Sequence, residues 1–377
     1  MELRDLANIY GDFYAPSYVV RVAGSDLMRD QAVAVSQVEV DLVLGSASRF
    51  SFTLSDCYSH EHQLFRTGGG DNLLELLTFG AEVEIFMGYR DEKSRPIAMR
   101  GMITAISTNF PESGAPELSI SGYDHGFLLT MGKNSRTWSR TSDSDAVHEI
   151  ASSNNLAAII KTTTEKHAQI EQNQENDWEF LKKIALRNEF ALYVDEDKKL
   201  HFAPPNDKGG AIVKLVYGQG LLNFKPEANL AGQISKVEVY GWDPKQKKAI
   251  VGVATTGEES GRSRESAGQH FTGAFAVEPS KKPTLRLRQP VFTQSEANER
   301  AQAALSEQAK KFLTGDGETI GLPEVRPDRN IELVSLGKAF SRTYYIEQAT
   351  HKIDSNGYRT KFKVKEPGYE PTRNGAK

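Results

Sequence analysis

The chain has 377 residues, 38% of them hydrophobic, with a formal net charge of -4 and a pI near 6.1. That length suits two or three domains with substantial cores. The mildly acidic balance argues against a dedicated nucleic-acid binder, which carries a basic face, but not against a wall that nucleic acid slides past. Mean hydropathy is -0.48, and no stretch approaches the roughly 20 apolar residues a spanning helix needs. The opening MELRDLANIYGDFY lacks the basic start and apolar run of a signal peptide. Expected, therefore, is a protein made and retained in a cytoplasm, or released by lysis. Cys57 is the single cysteine, which rules out an intramolecular disulfide and a cysteine-rich metal site.

The first third predicts strands at residues 17–22, 35–44 and 48–54. The middle run alternates, with Val38, Val40, Leu42 and Leu44 against Glu39, Asp41 and Val43. A short helix or turn is expected at 71–79, ended by Gly80, before strands at 82–87, 101–107 and 117–121. Strands at this spacing, separated by Gly and Pro, suggest a closed or nearly closed antiparallel barrel.

A mixed section follows. Residues 142–156 resemble a helix with Ala146, Val147, Ile150 and Ala151 on one side, and a strand is expected at 156–160. Asn176 can cap the next helix, with Glu179 three residues on, and Trp178, Leu181, Ile184 and Ala185 share one face. The period then changes to two. Residues 190–194 and 199–202 flank the turn-prone Asp195-Glu-Asp-Lys198, a hairpin. Pro204-Pro205 and the residues after them mark a boundary.

From Ala211 onward strands return, with 234–241 and 249–254 joined by the turn that starts at Trp242. Residues 255–269 are polar and poor in apolar anchors. A long helix starts at Thr293, whose TQSE box places Glu296 for capping. Ala297, Ala301, Ala304, Leu305, Ala309 and Phe312 form its stripe, and Gly315 is expected to end it. The last strands fall at 330–335, 344–350 and 358–364, with Asn356-Gly357 at a hairpin turn. The strand pair at 101–106 and 118–121 resembles the pair at 345–349 and 361–364, so two related barrels are expected around the mixed unit.

Chemistry is sparse. His60 and His62 share a face if their segment is a strand, with Asp56, Cys57 and Glu61 as further donors, but no second ligand cluster follows at a recognisable spacing. Thr67-Gly-Gly-Gly-Asp71 lacks the Gly-Lys-Ser/Thr ending of a phosphate loop. Gly315-Asp-Gly-Glu318 lacks the ligand series of a calcium loop and reads as a helix stop. Pairs such as Glu258-Glu259 are uninformative among 50 acidic residues. Lys245-Gln-Lys-Lys248 reads as a solvated turn, and Trp138, Trp178 and Trp242 as core or interface anchors. No catalytic, cofactor-binding or metal-ligating residue is assigned, and no cofactor is expected.

Several segments together resemble the phage late control protein D family, the tail hubs of contractile phages, similar to the hub region of VgrG. They are residues 101–106, 118–124 ending in Gly122-Tyr-Asp124, and the helix near 146–156. The best match is Gln172 with Asn176-Asp-Trp-Glu-Phe-Leu181 and the hairpin ending Phe202-Ala-Pro-Pro205. Tyr344-Tyr-Ile, His351 and Gly357-Tyr-Arg-Thr360 fit near the C-terminus. The resemblance implies an α+β, mainly β chain of two tube-like antiparallel barrels, an inserted small α/β domain and an additional long helix. Its expected division is 14–130 for the first barrel, 138–206 for the insert, and 207–256 with 328–366 for the second barrel. A polar insertion with the long helix takes 257–327, and a polar tail 367–377.

It further implies a structural, non-enzymatic baseplate hub of a contractile injection machine, whether phage tail, tailocin or extracellular injection system. Such a hub is a homotrimer joining a separate trimeric spike to a six-fold inner tube or tube initiator. Baseplate wedge proteins would be neighbours, with nucleic acid or effector cargo only as channel passengers. The long helix and the polar segment 257–267 are candidate contact regions. The chain differs from VgrG in ending at KEPGYEPTRNGAK, without an OB-like domain or needle, so the spike is expected to be a separate polypeptide. The alternatives are a cell-wall hydrolase carried by such a particle, or an all-β glycan-binding or adhesion protein.

Overall fold

In the computed structural model the described residues are 1–90, 96–243, 247–258, 283–288, 291 and 293–366. The segments 259–282 and 367–377, which hold most of the polar insertion and the tail, lie outside them.

The first strands follow the alternation. They are β1 (Pro16–Val22), β2 (Ala34–Val43), β3 (Arg49–Ser55), β4 (Glu82–Tyr89), β5 (Ile97–Asn109) and β6 (Glu117–Asp124). Val38, Val40 and Leu42 of β2, Phe50, Phe52 and Leu54 of β3, and Leu118 and Ile120 of β6 are all buried, one face of each strand turned inward. Antiparallel pairing runs β1–β4–β5–β6–β3–β2. A Cβ on Gly122 would lie 1.9 Å from the Met102 carbonyl oxygen, so β6 meets β5 at a distance only glycine allows. Sequence patterning did not mark α1 (Leu3–Tyr10). Its Leu6 and Tyr10 are buried in the core, and the Tyr10 ring lies 5.4 Å from that of Tyr89.

The mixed section forms its own core. Strands β7 (Asn134–Ser142) and β9 (Lys166–Glu175) pair with each other, and β8 (Ala157–Ile160), β10 (Ala191–Val194) and β11 (Lys199–Ala203) form a sheet in the order β8–β11–β10. Helices α2 (Asp143–Ser153) and α3 (Asp177–Arg187) pack here through Val147, Ile150, Trp178, Leu181 and Ile184. Asn176 caps α3 as its position predicts, accepting from the Glu179 backbone N–H at 2.8 Å.

The second half supplies β12 (Ala211–Tyr217), β13 (Gly220–Ala228), β14 (Lys236–Asp243), β15 (Lys248–Thr255), β16 (Thr284–Arg288), α4 (Gln294–Ala309), β17 (Leu313–Ile320), β18 (Asn330–Val334), β19 (Arg342–Asp354) and β20 (Gly357–Glu366). β15, β14 and β16 make a sheet under α4. A Cβ on Gly252 would stand 2.1 Å from the Ala297 backbone, and Val237, Val239 and Ile250 meet Ala301 and Leu305 there. α4 ends at Ala309, before the expected stop. Gly315-Asp-Gly-Glu318 lies inside β17 instead. Its glycines answer to packing: added Cβ atoms would stand 2.6 Å from the Phe224 ring and 2.2 Å from the Phe362 ring.

The remaining strands close a barrel in the order β19–β18–β12–β13–β17–β20, with β20 pairing back to β19. In chain order, β12, β13, β17, β18, β19 and β20 occupy the places that β1 to β6 hold in the first barrel. Every neighbour relation of the first barrel recurs, although β1 runs antiparallel to β4 while β12 runs parallel to β18. The two barrels share one continuous sheet, because residues 38–43 of β2 pair antiparallel with 348–353 of β19. A single hydrophobic cluster runs through both. The fold is the expected one: mainly β, with two barrels, an α/β insert and an added helix.

Candidate interaction surfaces

Among the described residues, the sequence candidates do not assemble into a reactive group. His60 is exposed, its ring edge-on to Tyr58 at 5.1 Å. His62 lies 3.9 Å from Glu61 on the surface. Cys57 is buried, and burial pushes its thiol up, away from the nucleophilic thiolate. The glycine loop closes on itself: Thr67 Oγ1 accepts from the Asp71 N–H at 3.1 Å, and Arg66 Nε donates to the Gly70 carbonyl at 2.9 Å. Glu258 accepts from the Thr255 N–H, while its neighbour Glu259 and residues 245–246 of the lysine turn fall outside the described residues. Trp138 and Trp178 are buried anchors, but Trp242 is 54% exposed on β14.

What the side chains do build are junctions. Trp178 Nε1 donates to the Gly45 carbonyl at 3.0 Å, and the Gly45 N–H donates to Leu192, tying α3 and β10 to the loop after β2. Asp124, the last residue of β6, accepts from the Ser48 N–H at 2.8 Å and the Gly126 N–H at 2.7 Å. Burial raises its carboxyl to about 7, against the lowering effect of those bonds. At the seam between the barrels, His351 is buried on β19. Its Nε2 donates to the Val325 carbonyl and its Nδ1 accepts from the Tyr358 hydroxyl, both at 2.9 Å. Burial, with Arg326 nearby, drops its pKa to about 3, so the imidazole is neutral.

A further junction joins α4 to the insert. Among the described residues, Glu165, His167 and Glu296 form the one group of three metal-ligating side chains within 4.8 Å. Glu296 and His167 already have charged protein partners, while burial and the neighbouring Glu299 push the Glu165 carboxyl up. Arg300 binds Glu296 at 2.5 Å, and His167 Nε2 lies 3.3 Å from Asp143, which also takes Arg187 and Asn188. Burial would push Asp143 up, but bonds from His167, Arg187 and Asn188 hold it at about 2. This arrangement is an ionic clasp, at the edge of a groove of about 1030 Å³ lined by Ile170, Phe180, Ile184, Leu285 and Leu287. Sequence patterning missed it because its members lie far apart along the chain.

Residues 15–355 match the family described as the Alg8 N-terminal domain. The chain belongs to that family. The description names no activity and no partner, and no curated protein matches the chain. Solved structures share the fold. A tail protein from Neisseria meningitidis MC58 is 14% identical with a TM-score of 0.69, covering 94% of this chain and 97% of its own. The 43 kDa tail protein of prophage MuSo2 from Shewanella oneidensis is 13% identical at 0.70, covering 94% and 99%. An Escherichia coli component of the type VI secretion system, described as structurally similar to T4 bacteriophage tail proteins, is 11% identical at 0.54, covering 94% and 79%. At these identities the likeness is one of fold.

Proposed function

We propose that the chain is a structural baseplate hub of a contractile injection machine, of the late control protein D kind. It acts as a homotrimeric adaptor between a three-fold spike and a six-fold inner tube. The observation that carries this reading is the duplication: one six-strand arrangement occurs twice in one chain, joined through a shared sheet. Three copies then present six barrels, the symmetry step such an adaptor must make. Similarity of fold to phage tail proteins over nearly the whole chain supports it.

On this reading the working parts are barrels at 14–130 and at 211–228 with 313–366, an insert at 138–206, and a peripheral unit of β14, β15, β16 and α4; the expected bounds 207–256, 328–366 and 257–327 are corrected because β17 closes the barrel while β14 and β15 pack under α4. A separate spike and the tube or its initiator are the direct partners, with wedge proteins outside and cargo passing through the channel. Assembly takes place in the bacterial cytoplasm, and the finished hub sits in the baseplate. Native mass spectrometry of the purified protein tests this, with and without the tube and spike proteins from neighbouring genes. A trimer that binds both is expected. A monomer that binds neither, or a lysis band in peptidoglycan zymography, would overturn it.

A further inference from the structure

The clasp between α4 and the insert has the parts of a metal site. Glu165 stands just before β9, His167 lies on β9, and Glu296 lies in the first turn of α4. Each brings one nitrogen or oxygen ligand atom to within 4.8 Å of the other two. Glu165 and His167 point the same way because residues two apart in extended chain share a face. Glu299, three residues past Glu296 on α4, bonds to the Glu165 carboxyl, as the i, i+3 spacing of a helix allows.

The imidazole is oriented from behind. His167 Nε2 lies 3.3 Å from Asp143 Oδ1, and Nδ1 lies 4.0 Å from Glu296 Oε1. Asp143 is itself fixed by Arg187 and Asn188. Metal-ligating histidines are held in this way, with one nitrogen turned to a carboxylate and the other left for the ion. With the proton on Nε2, the Nδ1 lone pair faces the Glu296 carboxylate. A separation of 4.0 Å is too long for a shared proton, but it suits donors bonded at about 2 Å to one ion between them.

Charge points the same way. Asp143, Glu165, Glu296 and Glu299 bring four carboxylates to this junction, against the two guanidiniums of Arg187 and Arg300. Two negative charges are left over, and one divalent ion cancels them. Arg300 on Glu296 does not exhaust that carboxylate, which has about four lone-pair sites. Imidazole together with carboxylate selects a borderline ion such as Zn²⁺, because Mg²⁺ and Ca²⁺ take oxygen ligands.

We propose that Glu165, His167 and Glu296 bind one divalent ion of the Zn²⁺ class, with Glu299 at the rim as the fourth ligand. Asp143 is a positioning residue for His167. The ion is structural. It ties α4 to β9 and so fixes one edge of the groove lined by Ile170, Phe180, Leu285 and Leu287. The site stands independently of the hub reading, and its success or failure leaves that reading untouched.

Isothermal titration calorimetry of the full chain, stripped with EDTA and dialysed, tests the site with ZnCl₂. One ion per chain is expected, with a Kd below about 10 µM. Glu165→Gln, which keeps the shape of the side chain, and His167→Ala should each weaken binding at least about tenfold. A chain carrying His60→Ala and His62→Ala, which lacks the surface histidine pair, should bind as the parent does. Adding ZnCl₂ to the stripped protein should slow hydrogen exchange over residues 294–309 and 166–170. No binding in that range, full binding by Glu165→Gln, or loss of binding in the His60/His62 variant would overturn the site. If His167→Ala fails to fold by circular dichroism, Glu165→Gln decides.

Discussion

Two buried groups give the protein opposed responses to acid. The unfolded chain protonates His351 near its ordinary 6.5, whereas the folded chain holds the imidazole neutral down to about 3. Its contribution is full above 6.5 and lost as pH falls, by about 1.4 kcal/mol per unit and about 5 kcal/mol over the whole window. Asp124 works the other way. Its folded carboxyl keeps a proton up to about 7 that the unfolded chain releases near 3.8. That contribution is full below 3.8 and lost as pH rises through 7, about 4 kcal/mol in all. Between pH 6.5 and 3.8 the two slopes oppose each other, and the parent protein should respond weakly.

Single substitutions separate them. Between pH 6.5 and 4.5, His351→Gln should gain about 3 kcal/mol relative to the parent, and Asp124→Asn should lose a similar amount. Denaturant midpoints followed by circular dichroism at half-unit pH steps read this directly. Curves that run parallel to the parent, shifted only by a constant, would refute the assignment of these protons.

Trp178→Ala removes a buried ring and its bond to Gly45, and should cost about 3–5 kcal/mol in denaturant unfolding. Gly252→Ala places a methyl 2.1 Å from the Ala297 backbone. It should lift α4 off its sheet at a cost of about 1–3 kcal/mol, seen as faster hydrogen exchange over residues 294–309. His167→Ala opens the clasp between α4 and the insert, and should speed exchange in α4 and at the start of β9 while leaving both barrels protected.

The sequence made the barrels legible where one face is buried and the other solvated. In β2, Val38, Val40 and Leu42 alternate cleanly, and the capped α3 with its hairpin was readable to within a residue or two. Legibility failed where local pattern does not carry the cause. β7 and β9 are polar along much of their length, with Trp138 and Ile170 as scattered buried anchors, so no period-two run stands out. Gly315 and Gly317 read as a helix stop because glycine ends helices. Their actual cause, the rings of Phe224 and Phe362 lying on the strand, is a contact between distant residues. The ionic clasp and the Asp124 junction are of the same kind.

The two barrels differ mainly in what is inserted between corresponding strands. β2 passes to β3 through a loop at residues 44–48, whereas β13 and β17, their counterparts, are separated by the whole α4 unit. The insert with α2 and α3 sits between the repeats and so occurs once per chain. On the proposed hub reading, the repeated strands would form the channel wall and face a six-fold neighbour, whereas the elements present once per chain would be presented three-fold to a spike and to baseplate contacts. A chain with a duplicated sheet and unduplicated insertions would then carry both symmetries in its own topology, with the seam between its barrels joining the two repeats.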